Sequence, residues 1–190
     1  MEVPLNEQLS QALRTLRREH GDEGIDVRDL HDDPMVELAA WLEQAIEAGL
    51  PVPNAMMLAT ADANGRPSAR ITLLKGIEDG GLVFFSNYES RKGREMTENP
   101  FAAVVLYWGP LSRQVRIEGS VARISEEESR EYFQTRARGS RIGAWASPQS
   151  QVIASREELE ARVAEFEARF PDENIPLPPH WGGFRLTPDR

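Results

Sequence analysis

The 190-residue sequence contains no cysteine, and only two of its 22 basic residues are lysine. Without cysteine the chain forms no disulfide and has no thiolate chemistry, which fits a reducing compartment. Long apolar runs are also missing, because the longest, from Ala102 to Trp108, is too short to cross a bilayer. The first ten residues lack the basic and apolar regions of a signal peptide. We therefore predict a cytoplasmic protein.

Side chains for conventional catalysis are scarce too. The three histidines, His20, His31 and His180, lie in separate segments without the spacing of metal ligands, so we predict no metal. The sequence has no nucleophile elbow, P-loop or GxGxxG motif. Its net charge of -9 argues against nucleic-acid binding, which needs a basic face. If the chain is an enzyme, we expect a bound cofactor to carry the reaction.

Helices are predicted on both sides of a strand-rich middle. Leucines at helical spacing between residues 5 and 16 predict an N-terminal helix, followed by a polar linker to residue 32. Asp33 and Pro34 are typical of a helix start, and Gly49 of its end. Further helices are predicted after three capping serines, Ser90, Ser125 and Ser155, the second of them running through Arg136.

From residue 53 the apolar pattern changes to a period of two. It predicts about five strands joined mostly by hairpins, with WGGFRL as a closing strand near the C-terminus. Hairpin connections favour an antiparallel barrel over a parallel sheet. The sequence therefore predicts an N-terminal helix and linker over 1–32 and an α+β barrel domain with flanking helices over 33–190.

The strand RITLLK carries a cation at each end. Side chains alternate between the faces of a strand, so Arg70, Thr72 and Leu74 share one face and Ile71, Leu73 and Lys75 the other. Arg70 and Lys75 should therefore bind different anions, if they bind any.

Two other segments suit a phosphate. Arg91 and Lys92 follow the capping Ser90, where free backbone N–H groups and the helix dipole favour an anion. In YFQTRARGS, Tyr132 and Arg136 share one helix face, with Ser140 after the turn, which suits a phosphate cradle. The alternative for each is a solvated charged turn or helix end.

Six motifs carry a family resemblance: RITLLK, FFSN, SRK, RQVRIEG, YFQTRARGSRIGAWASPQS and PLPPHWGGFR. In this order and spacing, from about Arg17 to Arg185, the sequence resembles pyridoxine (pyridoxamine) 5′-phosphate oxidase. The resemblance implies an antiparallel, Greek-key, FMN-binding split β-barrel. It also implies a homodimer with two FMN sites at the subunit interface.

The resemblance implies two sets of binding residues. Those toward FMN are Arg70, Ile71, Thr72, Leu73, Leu74, Lys75, Phe85, Ser86, Arg91, Lys92, Gln114, Gln149 and Ser150. Gln114 would approach the isoalloxazine ring, and Gln149 with Ser150 would reach FMN across the dimer interface. Those toward the substrate are Arg17, His20, Lys75, Tyr132, Arg136 and Ser140, with Lys75 in both sets. No side chain is assigned a catalytic role, since the flavin carries the hydride chemistry.

The sequence departs from the family in two places. His20 stands where the family has tyrosine, in a segment that covers the active site. The family continues past WGGFR with a hairpin whose E-F-W and R-L-H-D-R motifs complete the site, whereas this sequence ends at LTPDR. We expect that this tail has been left out of the chain.

The resemblance implies an oxidase that converts pyridoxamine or pyridoxine 5′-phosphate into pyridoxal 5′-phosphate. Oxygen would be the acceptor, and H2O2 the second product. Three alternatives stay open: a related flavin oxidase acting on a phenazine-type substrate, a non-catalytic homologue that binds FMN or pyridoxal phosphate, and an acidic β-barrel interaction module. The phenazine-type oxidase should lack the substrate-phosphate residues.

Overall fold

The computed structural model describes residues 24–189 and, before them, Leu13. The chain divides into two units, Met1–Asp32 and Asp33–Arg190. In the first unit a short 3-10 helix, Val27–Asp29, is capped by the side chain of Asp26. The predicted N-terminal helix, apart from Leu13, and the predicted substrate residues Arg17 and His20 lie outside the described residues.

The second unit contains a curled antiparallel sheet of seven strands. The strands are β1 (Ala55–Ala61), β2 (Pro67–Leu73), β3 (Gly76–Glu78), β4 (Gly81–Asn87), β5 (Phe101–Trp108), β6 (Arg113–Arg123) and β7 (Trp181–Pro188). Their order across the sheet is β2-β1-β5-β6-β7-β4-β3. The predicted α+β split-barrel class is confirmed. The sequence pattern missed β3, because three residues are too few to show an alternation.

The described part of the second unit has five α-helices, α1 (Pro34–Glu47), α2 (Arg91–Glu98), α3 (Glu126–Thr135), α4 (Arg138–Ala146) and α5 (Arg156–Arg169), and a short 3-10 helix, Gly109–Leu111, between β5 and β6. The predicted caps are confirmed. The side chains of Asp33, Ser90, Ser125 and Ser155 each accept a backbone N–H in the first turn of their helix. Gly49 has φ +66, the left-handed conformation that ends many helices.

One helix ends one residue earlier than predicted. The helix that starts after Ser125 ends at Thr135, and Arg136 is extended, with φ -74 and ψ 145. Ser140 then belongs to a separate helix, α4, which the sequence pattern did not predict. Arg136 is the C-cap of α3, four residues after Tyr132, and its φ is still in the helical range. The break contains neither proline nor glycine, so no local signal marks it; instead, Arg136 lies over the ring of Trp181, 4.6 Å from its centroid.

Two apolar clusters hold these elements. The larger lies within the half-barrel and includes Leu58, Phe84 and Leu106, which are fully buried. The smaller joins Phe133 of α3 and Ile142 of α4 to Ile175 and Trp181. Because α3 and α4 are packed through this second cluster against the start of β7, their polar residues are held beside strand β4, the neighbour of β7.

Candidate active site

A cavity of about 450 Å³ lies where β2, β4, α2, α3 and α4 meet. Its lining residues are Ile71, Thr72, Leu73, Lys75, Phe85, Ser86, Lys92, Tyr132, Arg136, Ala137, Ser140, Gln149 and Trp181. Three of these side chains are cationic and none is a carboxylate. A cavity with this lining favours an anionic ligand.

Around Lys92, in the first turn of α2, three polar side chains meet. Lys92 Nζ donates to Gln149 Oε1 at 2.8 Å, and Ser86 Oγ donates to the same oxygen at 3.2 Å. Burial, and then the charge of Arg70, lower the pKa of Lys92 to about 8. A bound anion would counter both effects by stabilising the ammonium form.

Arg70 and Arg91 lie beside this cavity rather than among its lining residues. The Arg70 guanidinium donates to Leu58 O at 3.1 Å and to Thr60 Oγ1 at 2.6 Å. Arg91 Nε donates to Glu95 Oε1 at 2.8 Å. Of these three predicted ligands of the FMN phosphate, Lys92 is therefore the one that lines the cavity.

The second polar group comes from α3 and α4. Tyr132, Arg136 and Ser140 line the same cavity, with Ser140 supplied by the separate helix α4. Arg136 Nη1 is buried and has no hydrogen-bond partner among the described residues. Burial lowers the pKa of Arg136. Because an unpaired buried donor is costly, this guanidinium suits an anionic ligand oxygen.

Three stacked aromatic rings form another part of the cavity lining. The rings of Phe85 and Tyr132 are stacked with centroids 3.8 Å apart, and those of Phe85 and Trp181 with centroids 5.5 Å apart. Thr72 contributes a buried hydroxyl, and Oγ1 has no partner among the described residues. A planar ligand ring with polar edge atoms matches this combination.

Most of the residues predicted to bind FMN or the substrate line this cavity, and some do not. Leu74 is 3% exposed and its side chain belongs to the core, as expected from strand alternation. Gln114 is exposed on β6, paired with Tyr107 of β5, and it does not line the cavity. Ser150 is also outside the lining and has φ 68. Gln149 contacts Lys92 and Ser86 of its own chain, so its contact across an interface stays a prediction.

Two lining residues, Ala137 and Trp181, were not predicted. A signal for Trp181 was present in the two glycines that follow it. A Cβ on Gly182 would lie 2.0 Å from the Tyr88 hydroxyl oxygen, and one on Gly183 would lie 2.9 Å from a ring carbon of Phe85. Side chains from β4 and α3 therefore crowd this end of β7, which places Trp181 against them.

Sequence comparison identifies the family. A family profile described as Pyridoxamine 5′-phosphate oxidase matches residues 42–170. The chain belongs to the pyridoxamine 5′-phosphate oxidase family. A relative from Paraburkholderia phymatum, named pyridoxine/pyridoxamine 5′-phosphate oxidase, is 56% identical over 177 residues, which are 93% of this chain and 83% of that protein. A relative of the same name from Burkholderia mallei is 56% identical over 176 residues, covering 93% of this chain and 82% of its own length.

Solved structures agree on the fold. PhzG from Burkholderia lata 383, crystallised with tetrahydrophenazine-1-carboxylic acid, has 34% identity and a TM-score of 0.81, covering 87% of this chain and 82% of its own. A pyridoxamine 5′-phosphate oxidase-related, FMN-binding protein from Nostoc punctiforme has 22% identity and a TM-score of 0.65, covering 82% and 80%. The second likeness bears on the fold alone.

The described residues contain neither a membrane-spanning helix nor a group of metal ligands. No helix there has the length and apolar character needed to cross a membrane. Within the same part of the chain, no three His, Asp or Glu side chains are grouped so that they could hold a metal ion.

Proposed function

We propose that this protein is an FMN-dependent oxidase of pyridoxamine 5′-phosphate or pyridoxine 5′-phosphate that produces pyridoxal 5′-phosphate and H2O2. The observation that carries the proposal is one cavity whose lining includes Lys92, Arg136 and three aromatic rings and no carboxylate. FMN and the vitamer are both phosphorylated and planar, so two cationic groups and a set of aromatic rings in one cavity suit them. Family membership supports the same reaction. A cytoplasmic location stays a prediction.

The residues around α2 fit FMN. Lys92, with Arg70 and Arg91 beside it, would hold the phosphate at the helix start, and Thr72 offers an unpaired buried hydroxyl to the ring edge. Ser86 and Gln149 would complete the polar lining. Bound FMN would supply the hydride acceptor and the route by which electrons reach O2.

The residues around α3 and α4 fit the substrate phosphate. Arg136 has an unpaired buried donor, and Tyr132 and Ser140 add hydroxyls on the same cavity. Lys75, just after β2, adds a further cation. The role of these side chains is to bind and orient, so that the substrate carbon that loses hydride is held against the cofactor ring and water is excluded.

A homodimer is part of the proposal. The outer face of β1, β2 and β5 exposes apolar side chains: Met57 43%, Ile71 66%, Leu73 39%, Phe101 58% and Tyr107 69%. Ile71 and Leu73 also line the cavity. A second copy packed on this face would therefore cover the open side of the cavity, and its own exposed Gln114 would lie at the same interface.

A phenazine-type oxidase is the second candidate, favoured by the likeness to PhzG. It is less well supported, because that identity is 34%, against 56% to relatives named for the vitamer reaction. The cavity also contains all four predicted substrate-phosphate residues, Lys75, Tyr132, Arg136 and Ser140, which a phenazine-type oxidase should lack.

The test is to purify the full chain, record its flavin absorbance and add each substrate in air. We expect a yellow protein that forms pyridoxal 5′-phosphate and peroxide from pyridoxamine 5′-phosphate, and that leaves unphosphorylated pyridoxamine almost untouched. A protein that cannot be loaded with FMN would contradict the cofactor assignment. Turnover of a dihydrophenazine carboxylic acid without turnover of either phosphorylated vitamer would favour the second candidate.

A further inference from the structure

A buried carboxylate lies behind the cations at the start of α2. Glu95 of α2 has a side chain that is 5% exposed, and it forms ion pairs with Arg70 and Arg91. We propose that Glu95 is a positioning residue, which holds these two guanidinium groups in place for the phosphate of the cofactor. The inference rests on the proposed function.

Glu95 connects three elements through its two oxygens. Oε2 accepts from Ser68 Oγ at 2.6 Å, from Arg70 Nη2 at 3.3 Å and from Thr60 Oγ1. Oε1 accepts from Arg91 Nε at 2.8 Å. Strands β1 and β2 and the first turn of α2 are therefore joined at one carboxylate, and no other described carboxylate pairs with Arg70 or Arg91.

The pairing with Arg91 follows from helix geometry. Residues four apart lie on one face, and a helical side chain leans toward the N-terminus, so Glu95 reaches back to Arg91. Arg91 uses Nε for this bond and its side chain is 57% exposed, so its terminal nitrogens stay available to an anion.

The Glu95 carboxyl is ionised at neutral pH. Burial alone would raise the pKa of Glu95, but hydrogen bonds from Ser68, Thr60 and Arg91 together lower it to about 2. With Arg70, Arg91 and Lys92 it leaves an excess of two positive charges, which matches a phosphate dianion.

Two explanations of the role of Glu95 predict opposite changes in FMN affinity when its charge is removed: one considers only the net charge of the site, and the other the positions of the guanidinium groups. If only net charge matters, a neutral residue at 95 makes the site more positive and tightens FMN binding. If Glu95 positions the guanidinium groups, the same change releases them and weakens binding. The two explanations are thus separated by the sign of one measurement.

The experiment uses the full chain freed of flavin, with binding followed by quenching of flavin fluorescence. We expect Glu95→Gln to weaken FMN binding by about tenfold or more and riboflavin, which has no phosphate, by less than about twofold. Glu160→Gln is the matched control, because Glu160 forms the same i,i+4 pair with Arg156 on α5, away from the cavity; it should change neither affinity. Glu95→Asp keeps the charge but shortens the side chain, so it should also weaken FMN selectively.

Equal weakening of FMN and riboflavin would show a purely structural role and overturn the proposal. Unchanged or tighter FMN binding in Glu95→Gln would also overturn it. In an Arg91→Gln background, Glu95→Gln should cost less than in the wild type, since part of its effect acts through Arg91. A wild-type chain that binds riboflavin and FMN equally, or neither, would instead contradict the proposed function itself.

Discussion

Lys92 shows how its surroundings change what a single residue can do. It is 9% exposed, and burial together with the charge of Arg70 lowers its pKa to about 8. In the free protein the side chain therefore loses its proton over a range that ordinary buffers reach. A phosphate bound beside it favours the ammonium form, so binding raises the same pKa.

This linkage predicts how FMN affinity depends on pH. Below about pH 8 Lys92 is already protonated and affinity should be nearly constant, down to about pH 6, where the phosphate itself takes up a proton. As pH rises through 8, binding has to recover a proton, and affinity should fall by up to about tenfold per pH unit. Fluorescence titrations between about pH 6.5 and 9.5 measure this.

Lys92→Arg is the control for that titration. Arginine keeps its charge throughout this range, so the decrease above pH 8 should disappear even if the absolute affinity changes. A wild-type profile as flat as that of the arginine variant would rule out the role assigned to Lys92.

At the scale of one element, α2 depends on close backbone packing. A Cβ on Gly93 would lie 2.2 Å from Tyr88 O and 2.7 Å from Asn87 O, so the first turn of α2 rests directly on the end of β4. Neither oxygen can move as a flexible side chain would. Only glycine allows this approach, which holds Lys92 against the cavity.

Two glycine substitutions test this packing. Gly93→Ala should lower the free energy of unfolding by about 1–3 kcal/mol, because it overpacks a backbone contact, and it should weaken FMN binding. Gly143→Ala, in α4, meets no atom within 4 Å, and should raise stability by about 0.5–1 kcal/mol through helix propensity. Urea unfolding measures both. Changes of the same sign and size in the two variants would refute the packing argument.

At the scale of the whole molecule, the exposed apolar face of β1, β2 and β5 is the surface on which we propose that the dimer forms. Met57 lies near its centre, opposite Ile71 on one side and Val105 on the other. Such a face on a single chain favours association. Ile71 and Leu73 of this face also line the cavity, so assembly and cofactor binding should depend on each other.

A charge in the middle of this face tests the dimer. We expect Met57→Glu to weaken dimerisation by more than about a hundredfold, because a carboxylate would be buried without a partner. Size-exclusion chromatography with light scattering should then give the mass of one chain, with loss of FMN, although Met57 does not line the cavity. Ile46→Glu places the same charge on an exposed apolar position of α1 and should leave the dimer intact. A wild-type protein that binds FMN as a single chain would contradict the proposed assembly.

Much of the fold could be predicted because its signals are local. The cap of α2 at Ser90 and the alternation through Arg70 and Ile71 each depend on neighbours a few residues away, and both are present in the structure. The same holds for the position of Lys92 at a helix start. The six motifs added the family, since their order along the chain is itself a property of the sequence.

The remainder needed the tertiary structure, because it depends on residues far apart along the chain. Helix α3 ends at Thr135, and Arg136 lies over the ring of Trp181; no local sequence pattern predicts this contact. From the sequence alone, Glu95 is an ordinary polar residue of a helix. Its role depends on β1 and β2, which bring Thr60 and Ser68 into contact with its carboxylate. By itself the sequence determined the fold class, the starts of α1, α2, α3 and α5, and the candidate cations. Only the three-dimensional packing decided which cations line the cavity and which are held behind it by a carboxylate.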